Sequence, residues 1–224
     1  MIVLEGVGHR FGDRTVLRDV DLELPQRRIG LVGANGSGKS TLARLLNGLV
    51  VPDTGRVLVD GLDTRRSGPA VRRRVGFVFT DPDAQIVMPT VAEDVAFSLR
   101  RRGLPREEVR RRVAEALVRV GLEDHADAPA HLLSGGQKQL LALTAVLVTE
   151  PAVLVCDEPT TLLDARNARR VTALLAALPQ QVVLVTHHLE QLDDFDRVLV
   201  VDGGRVVADG PPARALAAYD ALVG

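Results

Sequence analysis

The sequence predicts an α/β fold: a mostly parallel sheet flanked by helices, preceded by an antiparallel β subdomain at the N-terminus. Three observations carry this. Short runs rich in Val, Ile and Leu recur at Arg28 to Val32, Val75 to Phe79, Val153 to Asp157, Val182 to Thr186 and Arg197 to Val201. They alternate little, as strands covered on both faces do. Helical stretches separate them. The first segments, Ile2 to Val7 and Val16 to Leu24, alternate apolar and polar residues more regularly and suit antiparallel strands.

In chain order, the strand Ile29 to Val32 runs into GANGSGKST, residues 33 to 41, and on into the helical TLARLLNGL. Strand, glycine-rich loop and helix in that order are the setting of a phosphate loop, and predict a P-loop nucleoside triphosphatase core. Glycines let backbone N–H groups turn inward on phosphate oxygens, while the helix start adds partial positive charge. Gly33, Ala34, Asn35, Gly36, Ser37, Gly38 and Thr41 are expected to surround the nucleotide, with Lys39 on the β- and γ-phosphates and Ser40 on Mg²⁺.

The next strand, Val75 to Phe79, ends at Thr80 and meets PDAQIVMPTVAEDVAF, where an acidic helix start is marked by Glu93 and Asp94. A helix follows between Pro105 and Gly121, with Val109, Val113, Leu117 and Val120 on one stripe. Glu107 with Arg111, and Glu108 with Arg112, are expected to pair four residues apart on its exposed side. LSGGQKQ, residues 133 to 139, sets a serine and two glycines at another helix start, a second anion-binding arrangement. The strand Val153 to Cys156 then delivers Asp157 and Glu158 together at its C-terminal end, where ligands of open α/β sheets bind. Asp157 suits a Mg²⁺ water shell, and Glu158 suits a base that deprotonates the attacking water. Two histidines, His187 and His188, follow the strand Val182 to Thr186. Adjacent residues on an extended segment point to opposite sides, which argues against a zinc pair there.

Bulk properties exclude other classes. A chain of 224 residues, 46% hydrophobic and 25% charged, buries one substantial core. The net charge of −1 supplies no basic field for nucleic acid, and the runs Arg72 to Arg74, Arg100 to Arg102 and Arg110 to Arg112 read as solvated faces. The lone Cys156 sits in an apolar run as a small core residue, with the reducing cytoplasm as its natural compartment. No charged-then-apolar leader opens the chain, and no apolar run approaches the roughly 20 residues of a membrane span. Membrane association is expected only through a partner.

Together, the phosphate loop, LSGGQKQ, the Asp157–Glu158 pair and His187 closely resemble the ATP-binding cassette ATPases, in the expected order and over nearly the whole chain. The resemblance implies a single domain, residues 1–224, with a helical subdomain inserted at roughly 81–145. It implies that Phe11 stacks on adenine and that His187 senses the γ-phosphate. It also implies that Ser134, Gly135, Gly136 and Gln137 reach ATP held by a second cassette, and that Asp164 crosses the dimer interface. One copy is then not enough: a homodimer, or a heterodimer with a related cassette, follows.

Where such cassettes carry a glutamine that approaches Mg²⁺ and the attacking water, this chain has Thr80, which puts that sensing in doubt. The segments PDAQ and PTVAEDVAF resemble the cassettes of energy-coupling factor importers, which energise uptake of vitamins and of cobalt or nickel ions. In that group a membrane coupling protein inserts arginine-bearing helices beside this segment, so Gln85, Glu93 and Asp94 are expected to dock it. A substrate-binding membrane subunit completes the complex, which sits on the cytoplasmic face of the membrane with this chain as its peripheral part. The segment Phe79 to Phe97 with its threonine, and the short C-terminus, look most like the biotin-uptake member; cobalt or nickel uptake is the near alternative. A soluble cassette of the iron-sulfur assembly type is the reading from another class, disfavoured by PDAQ and PTVAEDVAF.

Overall fold

The computed structural model describes residues 1–224, the side chain of Val223 excepted. In chain order the elements are β1 (Ile2–Phe11), β2 (Arg14–Leu24), β3 (Arg28–Val32), α1 (Lys39–Leu46), β4 (Thr54–Val59), β5 (Leu62–Asp63), α2 (Gly68–Arg74) and β6 (Val75–Val78). Next come α3 (Val91–Leu99), α4 (Arg106–Val120), α5 (Gly135–Leu147), β7 (Val153–Asp157), α6 (Ala165–Ala177), β8 (Gln181–Val185), β9 (Arg197–Asp202), β10 (Arg205–Gly210) and α7 (Pro212–Val223). Short 3₁₀ turns punctuate the loops. No helix among the described residues is long and apolar enough to cross a membrane.

The chain divides into two compact units. The first comprises Met1–Gly76, Ala152–Glu158 and Leu178–Gly224. It holds a four-stranded antiparallel sheet in the order β2-β1-β4-β5 and a larger sheet in the order β10-β9-β3-β8-β7-β6, the last strand continuing into the second unit. In the larger sheet β3 pairs parallel with both β8 and β9, and β7 pairs parallel with β8, while β10 joins β9 antiparallel. Every residue of β3 and β7 is buried, which is why these runs lack alternation. Leu42, Ala43, Leu45 and Leu46 of α1 join this core. Burial of their side chains, at about 25 cal/mol per Å² of apolar surface, fixes the helix after the phosphate loop against the sheet.

The second unit comprises Phe77–Pro151 and Pro159–Ala177, a wider span than the subdomain drawn from the sequence. Here α5 packs on α3, α4 and α6, and Leu140, Leu141 and Leu143 of α5, Val95 and Leu99 of α3 and Leu117 of α4 are all buried. Helix α4 starts after Pro105 and ends at Gly121, whose φ of 61° is the left-handed stop that glycine favours. Val113, Leu117 and Val120 of its stripe are buried, and Val109 lines a surface groove. Of its two expected pairs, Glu108 holds Arg112 at 2.7 Å; the other differs, because Arg111 goes to Glu108 at 2.8 Å and to Glu115 at 2.6 Å. Arg111 is therefore not available to Glu107, which lies 3.8 Å from Arg110 instead. The two guanidiniums hold the Glu108 carboxyl down to about 2.

The candidate nucleotide site

Helix α1 begins without a side-chain cap and without an acidic residue in its first turn. Its N-cap is Gly38 at φ 111°, and a Cβ there would fall 2.9 Å from the Val16 carbonyl oxygen and from a Leu17 methyl. Only glycine fits both the conformation and the space. The helix start is thereby left to a ligand, and for this dipole end an anion is the natural one.

Lys39, 5% exposed, lies along the loop with Nζ donating to the carbonyls of Gly33 at 2.7 Å and Ala34 at 2.8 Å. Burial pushes its pKa down, against the pull of Glu158 and Asp157. Ser40 Oγ donates to Asp157 at 2.9 Å, and Arg44 approaches the other carboxylate oxygen at 3.6 Å. Burial raises the Asp157 pKa, opposed by Ser40 and Arg44. A buried carboxylate beside a serine hydroxyl favours the arrival of a cation. Next to it, Glu158 stands at φ 51°, a left-handed conformation costly for a glutamate, just beyond the end of β7. Its backbone N–H donates to Val185 at 2.9 Å, and its carboxylate lies 3.3 Å from His187 Nδ1.

Phe11, Arg14, Asn35, Lys39, Ser40 and Glu158 are among the walls of one cavity of about 260 Å³. Gly36, Gly38 and Thr41 line it too. Phe11 is 55% exposed and meets the His9 ring in a T-shaped contact, the centroids 4.7 Å apart. Arg14 was missed from the sequence because no motif surrounds it; the turn that returns β1 to β2 brings it to Gly36. The two histidines also depart from expectation. Their rings lie 4.2 Å apart, because the chain leaves the extended conformation after β8 and turns at His188.

In the second unit, α5 starts at Ser134 with a reciprocal cap: the Gln137 side chain accepts from the Ser134 N–H at 2.9 Å, and Ser134 Oγ from the Gln137 N–H at 3.4 Å. His125, another residue without a sequence signal, meets Gln137 Nε2 at 3.1 Å. Ser134 and Gly135 are exposed, whereas Gly136 is buried. Asp164 is exposed at the start of α6, accepting the backbone N–H groups of Arg166 and Asn167, each at 2.9 Å.

Three residues expected to dock a partner are found in different circumstances. Asp94 is only 3% exposed, and its Oδ1 accepts the N–H groups of Val87 at 2.8 Å and Met88 at 3.0 Å. It fastens a loop, and its docking expectation is corrected: a buried carboxylate already bonded to backbone is not offered to an incoming arginine. Gln85 is half-buried, and its amide accepts from Phe79 N–H at 3.1 Å and donates to the Ala142 carbonyl at 3.2 Å. With Gln139, which donates to the Phe79 carbonyl at 3.4 Å, it grips the residue before Thr80 from both sides. Thr80 itself is half-buried, two residues past the end of β6. Glu93 stays exposed; it caps α3 by accepting from Thr90 Oγ at 2.8 Å and lines a groove of about 330 Å³.

An uncapped helix behind a glycine loop, its lysine and serine, and a strand-end carboxylate pair together define a P-loop nucleoside triphosphatase. Comparison with known proteins narrows the class. The model of the ABC transporter family matches residues 17–161. A putative ABC transporter ATP-binding protein of Deinococcus radiodurans is 57% identical over 219 residues, covering 98% of this chain and 97% of the relative. The biotin transport ATP-binding protein BioM of Rhizobium etli is 47% identical over 97% of each chain. Among solved structures, cbiO1 from Clostridium perfringens, described as part of the ABC transporter complex cbiONQ, superposes with a TM-score of 0.85 at 33% identity, covering 99% of this chain and 92% of that one. The chain belongs to the ABC transporter family, as an ATP-binding, ATP-hydrolysing cassette.

Proposed function

We propose that the chain is the energising subunit of an energy-coupling factor importer, working as a pair of cassettes on the cytoplasmic face of the membrane, with biotin as the favoured cargo. The observation that carries the importer reading is the groove of the second unit. Met88, Ala96, Phe97, Leu104 and Val109 give it an apolar floor, and Glu93 and Arg100 stand at its walls. Phe97 of this groove is 41% exposed, and Val87, next to the groove residue Met88, is 62% exposed. A membrane coupling protein of basic, apolar character suits this groove, with Glu93, of the two carboxylates expected to receive an arginine, the exposed one. The identity with BioM supports biotin, and the likeness to cbiO1 supports assembly with membrane subunits.

In the nucleotide site Phe11 stacks on adenine and the phosphate loop holds the triphosphate. Lys39 exchanges its loop carbonyls for phosphate oxygens. The Ser40 and Asp157 oxygens, 2.9 Å apart, fit Mg²⁺, a hard cation that takes few protein ligands and keeps phosphates and water for the rest. When bound, that ion neutralises charge developing on the phosphates. Glu158 accepts the proton of the attacking water, and His187, 3.3 Å away, stands where it can report on the γ-phosphate. Ser134, Gly135 and Asp164, all exposed, are offered to a second cassette.

The test is copurification from native membranes, with partners and bound small molecule identified by mass spectrometry, for the wild type and Glu93→Ala. Recovery of a membrane coupling protein with biotin supports the proposal. Loss of that protein in Glu93→Ala, with basal ATPase retained, supports the groove, since breaking one side of a desolvated charge pair costs about 2 to 5 kcal/mol. Recovery only with soluble cluster-assembly proteins overturns the importer reading, and recovery with cobalt or nickel overturns biotin.

A further inference from the structure

Gly135 and Gly136 follow one another in the first turn of α5, yet their surroundings are opposite. A Cβ added to Gly135 would meet nothing within 4 Å. One added to Gly136 would fall 2.3 Å from the side-chain amide carbon of Asn167, 2.5 Å from its nitrogen and 2.7 Å from its oxygen. The carboxamide of Asn167 thus lies flat against the backbone of Gly136.

The other side of the same carboxamide is engaged. Asn167 Nδ2 donates to Asp164 Oδ2 at 2.7 Å, and the Asn167 backbone N–H donates to Asp164 Oδ1 at 2.9 Å. Asp164, Asn167 and Gly136 all lie in the second unit, so one short side chain joins the Asp164 loop to the start of α5 within it. A shorter side chain loses the contact with Gly136, and an alanine at 136 pushes the carboxamide away from it.

We infer that Asn167 is a positioning residue for ATP hydrolysis: it locks the Asp164 loop to the α5 N-terminus, so that both are presented to a second cassette as one rigid surface. This rests on the paired-cassette reading under Proposed function.

The experiment compares Asn167→Ala, Gly136→Ala, Gly136→Ala with Asn167→Gly, and Asn167→Asp, by kcat, KM for ATP, ATP affinity at dilute protein, and melting temperature. Asn167→Ala is expected to lower kcat about tenfold to a hundredfold, as loss of geometry does, with dilute ATP affinity unchanged. Gly136→Ala is expected to lower both kcat and melting temperature. Relieving its clash with Asn167→Gly should restore the melting temperature and leave kcat low, since the tie to Asp164 is gone. Asn167→Asp keeps the shape and sets two carboxylates together. Its kcat relative to wild type should be lowest at neutral pH and recover towards about pH 5, where the pair shares a proton. A kcat within twofold of wild type in Asn167→Ala or Asn167→Asp, or full recovery of kcat in the double variant, overturns the inference. ATP-driven dimerisation of Glu158→Gln separates the two failures. If that variant stays monomeric, the paired reading fails; if it dimerises while the Asn167 variants turn over normally, only the role of Asn167 fails.

Discussion

The two helix starts built for anions, those of α1 and α5, are left in opposite conditions. Both have glycine at or next to the cap, Gly38 at α1 and Gly135 at α5, and both carry the dipole's positive end. At α1 the cap is a glycine with no side chain to offer, and the first turn holds no acid. At α5 the serine and glutamine close on each other and fill the positions a phosphate would otherwise take. The difference teaches that a glycine-rich helix start is a site in its own subunit only when nothing local satisfies it. The α5 start is already partly satisfied, through the N–H groups of Ser134 and Gln137, and under the paired-cassette proposal a ligand brought from outside would have to outbid that cap. A charged phosphate can do so, because hydrogen bonds to an ionised acceptor are roughly twice as strong as neutral ones.

The largest effect that would break this comparison is expected from Glu158→Gln. Hydrolysis should fall at least about a hundredfold, the usual contribution of a general base, while ATP binding persists and an ATP-bound dimer accumulates on size exclusion. In that trapped dimer, amide exchange at Gly135 to Gln137 should slow, because the opened cap now holds phosphate. Wild-type turnover would remove Glu158 from its role. An unprotected α5 start in a stable dimer would leave the comparison without its second half.

A smaller and sharper contrast comes from paired substitutions at the two helix starts. Lys39→Ala should weaken ATP binding by dilute protein about tenfold or more, since a hydrogen bond to a charged group is worth about 1.5 to 3 kcal/mol. Ser134→Ala should leave that affinity untouched. It should cost about 1 kcal/mol of stability through the lost cap and reduce turnover only where cassettes pair. Calorimetry at low concentration beside ATPase rates at high concentration separates the two, and equal losses of affinity would show both starts serving one subunit's nucleotide.

The smallest effect is expected at Thr80. Gln85 and Gln139 hold the preceding residue from both sides, so the strand end is positioned by its neighbours. Thr80→Ala should keep basal ATPase within a few-fold, as substitutions outside the reacting groups commonly do. Abolished hydrolysis would make Thr80 a catalytic residue.

The sequence by itself determined the features whose cause lies within a few residues. The phosphate loop needs only its own glycines, lysine and serine. The buried strands announce themselves by unbroken Val, Ile and Leu, and α4 is bounded by Pro105 and Gly121, each acting on its own backbone. Two half-exposed strands went unread: β4, which pairs with β1 at the start of the chain, and β10, an edge strand that returns directly along β9. Side-chain partners were decided only by the tertiary structure. Asp94 and Glu93 are adjacent carboxylates at one helix start, yet the loop returning over α3 buries the first and leaves the second in water. Gln85 was expected to dock a partner, and only the fold shows its amide bonded to the backbone of Phe79 and Ala142. Arg14 and Asn167 carry no motif, since what gives each its place is a glycine 22 or 31 positions away in the chain, brought near by folding. Burial and hydrogen-bond geometry are properties of what the chain packs against, and no window of neighbouring residues contains them.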